Sequence, residues 1–325
     1  MNGASAGPSV LPFDPAAGSV VLEPEGTGPG WWVGAASAVY DWKTAGYYLY
    51  YRLRKPRELG RGAECCIARS GDGLHFTPIW RASRNDFQTP SIERGCILHG
   101  EDGVWRLYVS YVDREDNRWR TDVMEASEPH RFDPAARKCV FTARDVGVEG
   151  VKDPVIFTWE GRFYGLFSYA AAADALSQDE RSRMHATADA YNTGLVRSLT
   201  GLAVSDDGVH FQWLGTALAP REGAWDGYCA RVSSVVRRDP VWIAFYDGSA
   251  RVEENYEERT GLAAGVTLGA LTTLTPEGPI LVSPHASGAL RYVTIVRGPD
   301  CLWTYYEYAR PDGSHELRAN RLEWD

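Results

Sequence analysis

The chain has 325 residues, of which 44% are apolar and 12% aromatic, so it can bury a large core and is not a disordered protein. Its formal net charge of −9 disfavours nucleic acid and anionic membrane as partners, because both require a positively charged surface. No apolar stretch approaches the roughly 18–20 residues that span a bilayer. The N-terminus has no basic start followed by an apolar run, which predicts a cytoplasmic protein without a secretory signal.

The cysteines give no sign of a metal site or of a disulfide framework. All six lack C-x-x-C or histidine spacing, and Cys65 and Cys66 are adjacent. Reduced thiols and the absence of a zinc site are therefore predicted.

Along the chain, the first predicted element is a short strand at residues 19–24. One aromatic strand then recurs five times, beginning at Tyr47, Trp105, Phe163, Val241 and Leu302. These starts lie 58, 58, 78 and 61 residues apart. Each copy follows a short apolar strand and a polar turn, which is typical of a β-hairpin.

A third strand in each unit ends in a second recurring turn. The turns at 70–76 (SGDGLHF) and 205–211 (SDDGVHF) are nearly identical. Glycine after aspartate supplies the positive φ that such a turn needs, and the final aromatic residue starts a fourth strand. Units of this length with four strands are typical of propeller blades rather than of helical solenoids.

We therefore predict an all-β fold, a single five-bladed β-propeller with four antiparallel strands per blade. The predicted blades span about 31–85, 90–143, 150–218, 228–283 and 285–325, and the strand at 19–24 pairs with the last blade to close the ring. The long third spacing of 78 residues reflects residues 170–192, whose alanine, arginine and acidic residues predict a short helical insertion in the third blade. The insertion is either a solvated excursion or a lid over the site.

One end of the central channel is the predicted ligand cavity. In a propeller, the starts of the first strands, the ends of the second strands and the starts of the third strands share one face. Charged residues recur at these positions: Glu93, Arg94, Asp153, Arg231 and Arg291, then Asp247 and Glu307, then Glu64, Asp122 and Glu257. Because such charges are costly unless paired or hydrated, they predict a mixed-charge, water-filled pocket. The alternative is that they only neutralise one another around a structural channel.

Residues 151–157 (VKDPVIF) and 161–169 (GRFYGLFSY) resemble the blade signature of the five-bladed glycoside hydrolases, families 32, 43, 68, 117 and 130. The resemblance extends from about residue 31 to 325. For family 43 it implies a general base, a general acid and an aspartate that tunes the acid. Asp153 matches the D-P position, and Glu93 is similar to the glutamate that precedes a hairpin in that family. The first-blade aspartate has no counterpart, since its place falls on residues 35–37.

The resemblance implies a glycoside hydrolase that acts on a small, possibly anionic, carbohydrate or glycosylated metabolite, with inversion favoured. One carboxyl group must be protonated and the other ionised. Glu93 is predicted to be the acid and Asp153 its tuner or the base. Glu257, from the carboxylate-rich stretch 253–258, is predicted to be a replacement acid or base. By analogy the channel carboxylates could hold a structural calcium ion, and no other cofactor is predicted.

Two other functions stay open. Arg94, Arg231 and Arg291 suggest a carboxylate or phosphate on the substrate, so phosphorolysis as in family 130 is one alternative, unless these arginines only form salt bridges. The other is a propeller that binds a sugar or metabolite without cleaving it, with Trp32 stacking on a sugar ring. In each case the partner is a small molecule, and no oligomeric state is predicted.

Overall fold

The computed structural model describes residues 13–323, and their regular secondary structure is nearly all β-strand, as predicted. Strand β1 is Ser19–Leu22. Repeat 1 contains β2 (Trp32–Asp41), β3 (Gly46–Arg54), β4 (Glu64–Ser70) and β5 (Thr77–Ser83). Repeat 2 contains β6 (Ile92–His99), β7 (Trp105–Val112), β8 (Trp119–Ala126) and β9 (Lys138–Phe141). Repeat 3 contains β10 (Gly150–Trp159), β11 (Arg162–Ala172), β12 (Val196–Ser205) and β13 (Gln212–Leu218).

The last two repeats follow the same order. Repeat 4 contains β14 (Cys229–Arg238), β15 (Val241–Ser249), β16 (Arg259–Gly265) and the short β17 (Thr272–Thr273). Repeat 5 contains β18 (Leu290–Arg297), β19 (Cys301–Ala309) and β20 (His315–Glu323). Strand β1 pairs antiparallel with β20, with Ser19 opposite Ala319, so the N-terminal strand supplies the fourth strand of this repeat.

Within each repeat, consecutive strands pair antiparallel. The first strands of the repeats contact one another in a closed series, from β2 to β6, β10, β14, β18 and back to β2. The first strand of every repeat therefore lies on the inside of a ring, around a common axis.

The hydrophobic core lies between neighbouring repeats. Tyr48 and Tyr50 of repeat 1 pack with Trp105 and Leu107 of repeat 2, and similar clusters fill the other four junctions. The recurring aromatic strands supply most of these contacts, because aromatic and β-branched side chains pack well on a pleated surface. Packing of each repeat against the next fixes the ring and hence the positions of the inner strand ends.

The helices are few. Helix α1 is Ala143–Val146 and α2 is Gln178–Ala186, the latter within the predicted insertion of the third repeat. Short 3₁₀ turns lie at Pro15–Ala17, Arg57–Leu59, Pro129–Arg131, Pro134–Ala136, Ala190–Asn192 and Val252–Glu254. Among residues 13–323, no helix is long and apolar enough to cross a membrane. All six cysteines are free thiols.

Candidate functional site

Every inner strand has a bulge near its start, and in repeats 2 to 5 charged residues lie at or beside this bulge. In β10 the register shifts between Lys152 and Val155, and in β18 between Arg291 and Thr294. Asp153 has φ 52° inside its bulge, in the left-handed region that a non-glycine residue rarely adopts. Bulges of this kind are common beside functional sites because they re-aim a side chain.

The bulges and the adjoining strand ends form a continuous series of alternating charges, which we name the axial cluster. In order along the series, its members are Arg52, Glu93, Lys152, Asp153, Arg231, Glu258, Arg291, Glu307, His315 and Glu257. All except Glu257 are buried. Opposite charges in contact offset the large cost of removing each ion from water.

The distances are short along most of the series. Arg52 Nη1 lies 2.6 Å from Glu93 Oε2, and Lys152 Nζ lies 3.9 Å from Glu93 Oε1. Asp153 Oδ2 lies 3.6 Å from both Lys152 Nζ and Arg231 Nη1. These two longer separations leave Asp153 in ion pairs without a hydrogen bond to either oxygen. Asp153 is therefore a buried carboxylate whose oxygens are available to a ligand.

The second half of the series is more tightly bonded. Glu258 bridges Arg231 and Arg291, and Arg291 Nη1 donates to Glu258 Oε2 at 2.7 Å. Arg291 Nε also donates to Glu307 Oε1 at 2.8 Å. His315 lies 2.8 Å from Glu307 through Nδ1 and 3.1 Å from Glu257 through Nε2. These contacts fix the orientation of the Arg291 fork.

Asp247 lies beside this series but outside it. Its Oδ1 accepts a 3.0 Å hydrogen bond from the Tyr292 backbone N–H, and none of the described side chains forms an ion pair with it. Burial raises the pKa of Asp247 to about 6, although Arg231 acts in the opposite direction. Asp247 thus holds its proton to a higher pH than an ordinary aspartic acid does.

The carboxylates in the ion-pair series behave in the opposite way. Burial alone would raise the pKa of Glu93, but Arg52 and Lys152 hold it well below its ordinary value. Burial would likewise raise the pKa of Glu307, yet Arg291 and His315 lower it to about 2. Burial would lower the pKa of His315, but Glu257 and Glu307 raise it, which favours the imidazolium form. The low pKa of Glu93 argues against its predicted role as the acid.

Three segments close over the axial cluster, which we call the cover: residues 55–63, 187–195 and 250–258. Asp189 links all three, since it bonds Arg57 Nη2 at 2.8 Å, Arg61 Nη1 at 3.1 Å and the Tyr256 hydroxyl at 2.7 Å. Asn255 adds a 2.7 Å hydrogen bond to Asn192. The cluster residues other than Glu257 are buried, so the cluster is largely closed to solvent in this structure.

Helix α2 anchors the insertion that carries Asp189. Buried Glu149 accepts from His185 Nε2 at 2.7 Å and forms an ion pair with Arg181. Met184 and Tyr191 pack into a cluster with Trp119. These contacts show that the insertion is docked over the axial end of the ring rather than being a solvated excursion.

The structure brings together most of the predicted site residues, namely Glu93, Asp153, Arg231, Asp247, Glu257, Arg291 and Glu307. Arg94 lies deeper in the channel, where it donates to the carbonyl oxygens of Ala36 and Ser233 and to Thr294 Oγ1. Trp32 is at the site but its ring stacks on His315 at 4.4 Å, so it is not free for a sugar. Its role here is to pack the wall of the site.

Two predicted residues lie elsewhere. Glu64 pairs with Arg81, which is partly exposed, and Asp122 bonds Tyr111 and Arg120. Side chains alternate between the two faces of a strand, so these two point away from the face that carries Arg52. The prediction that they share the cavity is wrong, because it placed the third strands one residue out of register.

Several residues of the site were not singled out from the sequence. His315 is the first residue of β20, the third strand of repeat 5, and contacts Glu307 and Glu257. Arg54 and Tyr256 meet face to face above the cluster, with the guanidinium 4.2 Å from the ring centre. The period-two pattern of the third strands could have identified His315, whereas no sequence signal indicates the contact between Arg54 and Tyr256.

The other end of the channel differs. A cavity of about 180 Å³ opens there between the inner strands, and its lining includes Arg94, Ile97 and Ile295. A larger recess of about 700 Å³ lies between repeats 1 and 2, where His99 pairs with Asp41. Within the described range, no group of three or more His, Cys, Asp or Glu side chains is placed to hold a metal ion. The calcium ion therefore stays a prediction without an identified ligand set.

Known structures share this architecture. A thermostable family-43 glycoside hydrolase superposes with a TM-score of 0.66 at 13% identity, covering 93% of this chain and 92% of that one. The β-1,2-mannobiose phosphorylase of Listeria innocua gives 0.61 at 16% identity, covering 93% and 91%. A glycosyl hydrolase of Bacteroides ovatus gives 0.60 at 12% identity, covering 94% and 88%. No protein-family model and no curated protein matches the chain. The predicted resemblance to the propeller glycoside hydrolase superfamily is confirmed as a likeness of fold.

Proposed function

We propose that the five repeats are the blades of one five-bladed β-propeller and that the chain is a carbohydrate-active enzyme that cleaves a glycosidic bond at the axial cluster. The closed series of inner strands supports the blade count. The fold likeness to glycoside hydrolases and a phosphorylase supports the class of substrate. The enclosed site favours a small carbohydrate or glycosylated metabolite over a polymer.

One observation carries the proposal, the presence of two buried carboxyl groups in different surroundings at one mouth of the channel. Burial raises the pKa of Asp247 to about 6, while Asp153 is held between Lys152 and Arg231 with both oxygens free of hydrogen bonds. Glycoside hydrolysis needs such a difference, with one group protonated and the other ionised. Both aspartates lie around Arg231, whose backbone pairs with Asp247 across the β14–β15 ladder.

The roles follow from these different surroundings. Asp247 donates its proton to the glycosidic oxygen as the bond between that oxygen and the anomeric carbon breaks. Asp153 accepts a proton from the water whose oxygen forms the new bond to the anomeric carbon. Glu93 does not take part directly. It is held by Arg52 and positions Lys152, which in turn contacts Asp153.

The test compares Asp247→Asn and Asp153→Asn on a panel of aryl glycosides. Each variant should lose at least about 100-fold in kcat, the ordinary contribution of a positioned acid or base. Glu64→Gln and Asp122→Asn are the matched controls, since both remove carboxylates that lie away from the axis. Wild-type turnover that survives in both axial variants would eliminate the assignment.

Asp247 also makes a pH prediction. Its pKa in the folded protein is about 6, above its ordinary value of 3.8, so its stabilising protonated form is lost as pH rises through about 6. Above that pH the buried charge costs on the order of 3 kcal/mol. Activity should decline as pH rises above about 6. Asp247→Asn should unfold at higher urea concentration than wild type at pH 8 and lose that advantage near pH 4.

A second function is non-catalytic binding of a sugar or metabolite. It is favoured by repeat 1, where Gly34 and Ala35 occupy the positions that Lys152 and Asp153 occupy in repeat 3, so this strand contributes no acid. A binder would release its sugar intact after long incubation with wild-type protein. Recovery of a cleaved product that disappears in Asp247→Asn would exclude this alternative.

A further inference from the structure

Among residues 13–323, Arg54 is the cation at the axial end that has no acidic partner. Each arginine or lysine of the axial cluster contacts at least one carboxylate, and Arg94 is satisfied by carbonyl oxygens. Arg54 is only 5% exposed, and none of the carboxylates within residues 13–323 lies at ion-pair distance from it. Its Nη1 is fully buried and has no hydrogen-bond partner. Burial and the nearby Arg52 accordingly lower its pKa.

Aromatic rings hold this guanidinium in place. Its central carbon lies 4.2 Å from the ring centre of Trp32 and 4.2 Å from that of Tyr256. Tyr256 is itself fixed with φ 87° by a hydrogen bond from its backbone N–H to Glu258, and its hydroxyl donates to Asp189. Ring contacts act on the faces of a guanidinium, whereas its N–H groups point outward in the plane. The two rings therefore orient the Arg54 guanidinium and leave the N–H groups at its edge available to bind a ligand.

A second donor beside Arg54 also lacks a partner among residues 13–323. Trp32 Nε1 is buried without a hydrogen bond, and Arg291, whose Nη2 lies 2.7 Å from Glu307 Oε1, lies 4.9 Å from the same Trp32 ring. Water can supply hydrogen-bond acceptors to such donors, but it cannot offset the positive charge of a buried guanidinium. An oxyanion supplies both the hydrogen-bond acceptors and the negative charge, and arginine forks bind carboxylate and phosphate bidentately.

We infer that Arg54, with Trp32 and Arg291 beside it, forms a binding site for an oxyanion group, a carboxylate or phosphoryl group that arrives with the substrate or as a co-substrate. The inference rests on the proposed function and narrows its substrate to an anionic class. A uronic acid and free phosphate share the required chemistry. The first would carry the charge on the sugar, and the second would replace water in the cleavage step, its oxygen forming the bond to the anomeric carbon.

The experiment measures binding of D-glucuronate, inorganic phosphate and neutral D-glucose to the full chain by calorimetry. Arg54→Gln should weaken the anion that binds by about 10- to 100-fold and leave glucose unchanged. Arg54→Lys, which keeps the charge but not the fork, should give an intermediate affinity. Arg237→Gln is the matched control, because Arg237 also lies against two aromatic rings, Trp159 and Trp242. It lies at the opposite end of β14 from Arg231 and the axial cluster. Arg237→Gln should bind as wild type does.

The outcomes separate this inference from the proposed function. Unchanged anion affinity in Arg54→Gln, or no binding of either anion to wild type at millimolar concentration, overturns the oxyanion site even if neutral aryl glycosides are cleaved. Arg54-dependent anion binding without cleavage of any glycoside supports the site and contradicts the enzyme. If Arg54→Gln does not fold, the thermal midpoint of wild type decides, since a bound anion must raise it as concentration increases. Phosphate-dependent turnover assigns the site to phosphate, and cleavage confined to uronides assigns it to a sugar carboxylate.

Discussion

Repeats 1 and 3 use the same backbone bulge with different side chains. Ala35 has φ 55° in β2 and Asp153 has φ 52° in β10, and the register shifts at the same place in both strands. Repeat 3 contributes Lys152 and Asp153 there, whereas repeat 1 contributes Gly34 and Ala35. The space in repeat 1 is filled from repeat 5, because Glu307 Oε2 accepts a 3.2 Å hydrogen bond from the Ala35 backbone N–H.

This difference shows that a place beside the axis can be filled from a neighbouring strand. A carboxylate lies next to the repeat 1 bulge even though β2 has no acid at the bulge itself. The two repeats are also joined above the axis, since Asp189 of the repeat 3 insertion binds Arg57 and Arg61 of repeat 1. Repeat 3 thus supplies both an acid and part of the cover, and repeat 1 supplies the room for Glu307 and the partners for Asp189.

The largest loss of stability is expected at Glu307, the β19 side chain that fills the space beside the repeat 1 bulge. Glu307→Gln removes a fully buried charge that contacts Arg291 and His315, and breaking a buried ion pair costs about 3–5 kcal/mol. Ser168 occupies the corresponding position of repeat 3, opposite Lys152, and Ser168→Ala should cost less than about 1.5 kcal/mol, the ordinary net value of a hydrogen bond. Urea unfolding of the two variants measures the contrast. Equal losses of unfolding free energy in the two variants would show that the buried charge of Glu307 contributes no more stability than Ser168 does.

Much of the fold could be predicted from the sequence because the units repeat. The aromatic strands and the aspartate-glycine turns recur at regular spacing, and the structure shows them as second strands and third-strand turns. In both turns the aspartate accepts from the backbone and from a histidine, at 2.7 Å for His75 and for His210. Turns of this kind can be predicted from the sequence, because the residues that form them lie close together along the chain.

The site was only partly predictable, and the errors have physical causes. First-strand residues such as Asp153 and Arg291 were identified because their strands have clear starts. Glu64 and Asp122 were placed at the axis by error, since a shift of one residue moves a strand side chain to the opposite face. The pKa order of Glu93 and Asp247 depends on which arginine lies beside each, and this depends on contacts between repeats that no spacing reveals.

A smaller effect is expected from filling the space at the repeat 1 bulge directly. A Cβ atom on Gly34 would lie 2.2 Å from Glu307 Oε2 and 2.5 Å from its Cγ, so Gly34→Ala forces Glu307 to move and should cost about 1–3 kcal/mol. Gly71→Ala is the control, because no atom lies within 4 Å of its added Cβ. In a Glu307→Ala background the clash is absent, so the cost of Gly34→Ala should fall toward that of Gly71→Ala. An undiminished cost would mean that Glu307 does not define this space.

The smallest effect concerns the contact between the repeats above the axis. Asp189→Asn keeps the shape of the side chain but removes the charge that holds Arg57, which is largely exposed, and Arg61. Partly exposed pairs contribute about 1 kcal/mol or less each, so the cover should open about two- to tenfold more often. Cys229 reports this opening, since it is fully buried beneath the cover and accepts from Arg231 Nε at 2.9 Å. Alkylation followed by mass spectrometry should show faster modification of Cys229.

Exposed Cys139 should react equally in both proteins, and buried Cys65, which reports global unfolding, should not change. Equal acceleration at Cys65 and Cys229 would show that Asp189 stabilises the whole ring rather than the cover.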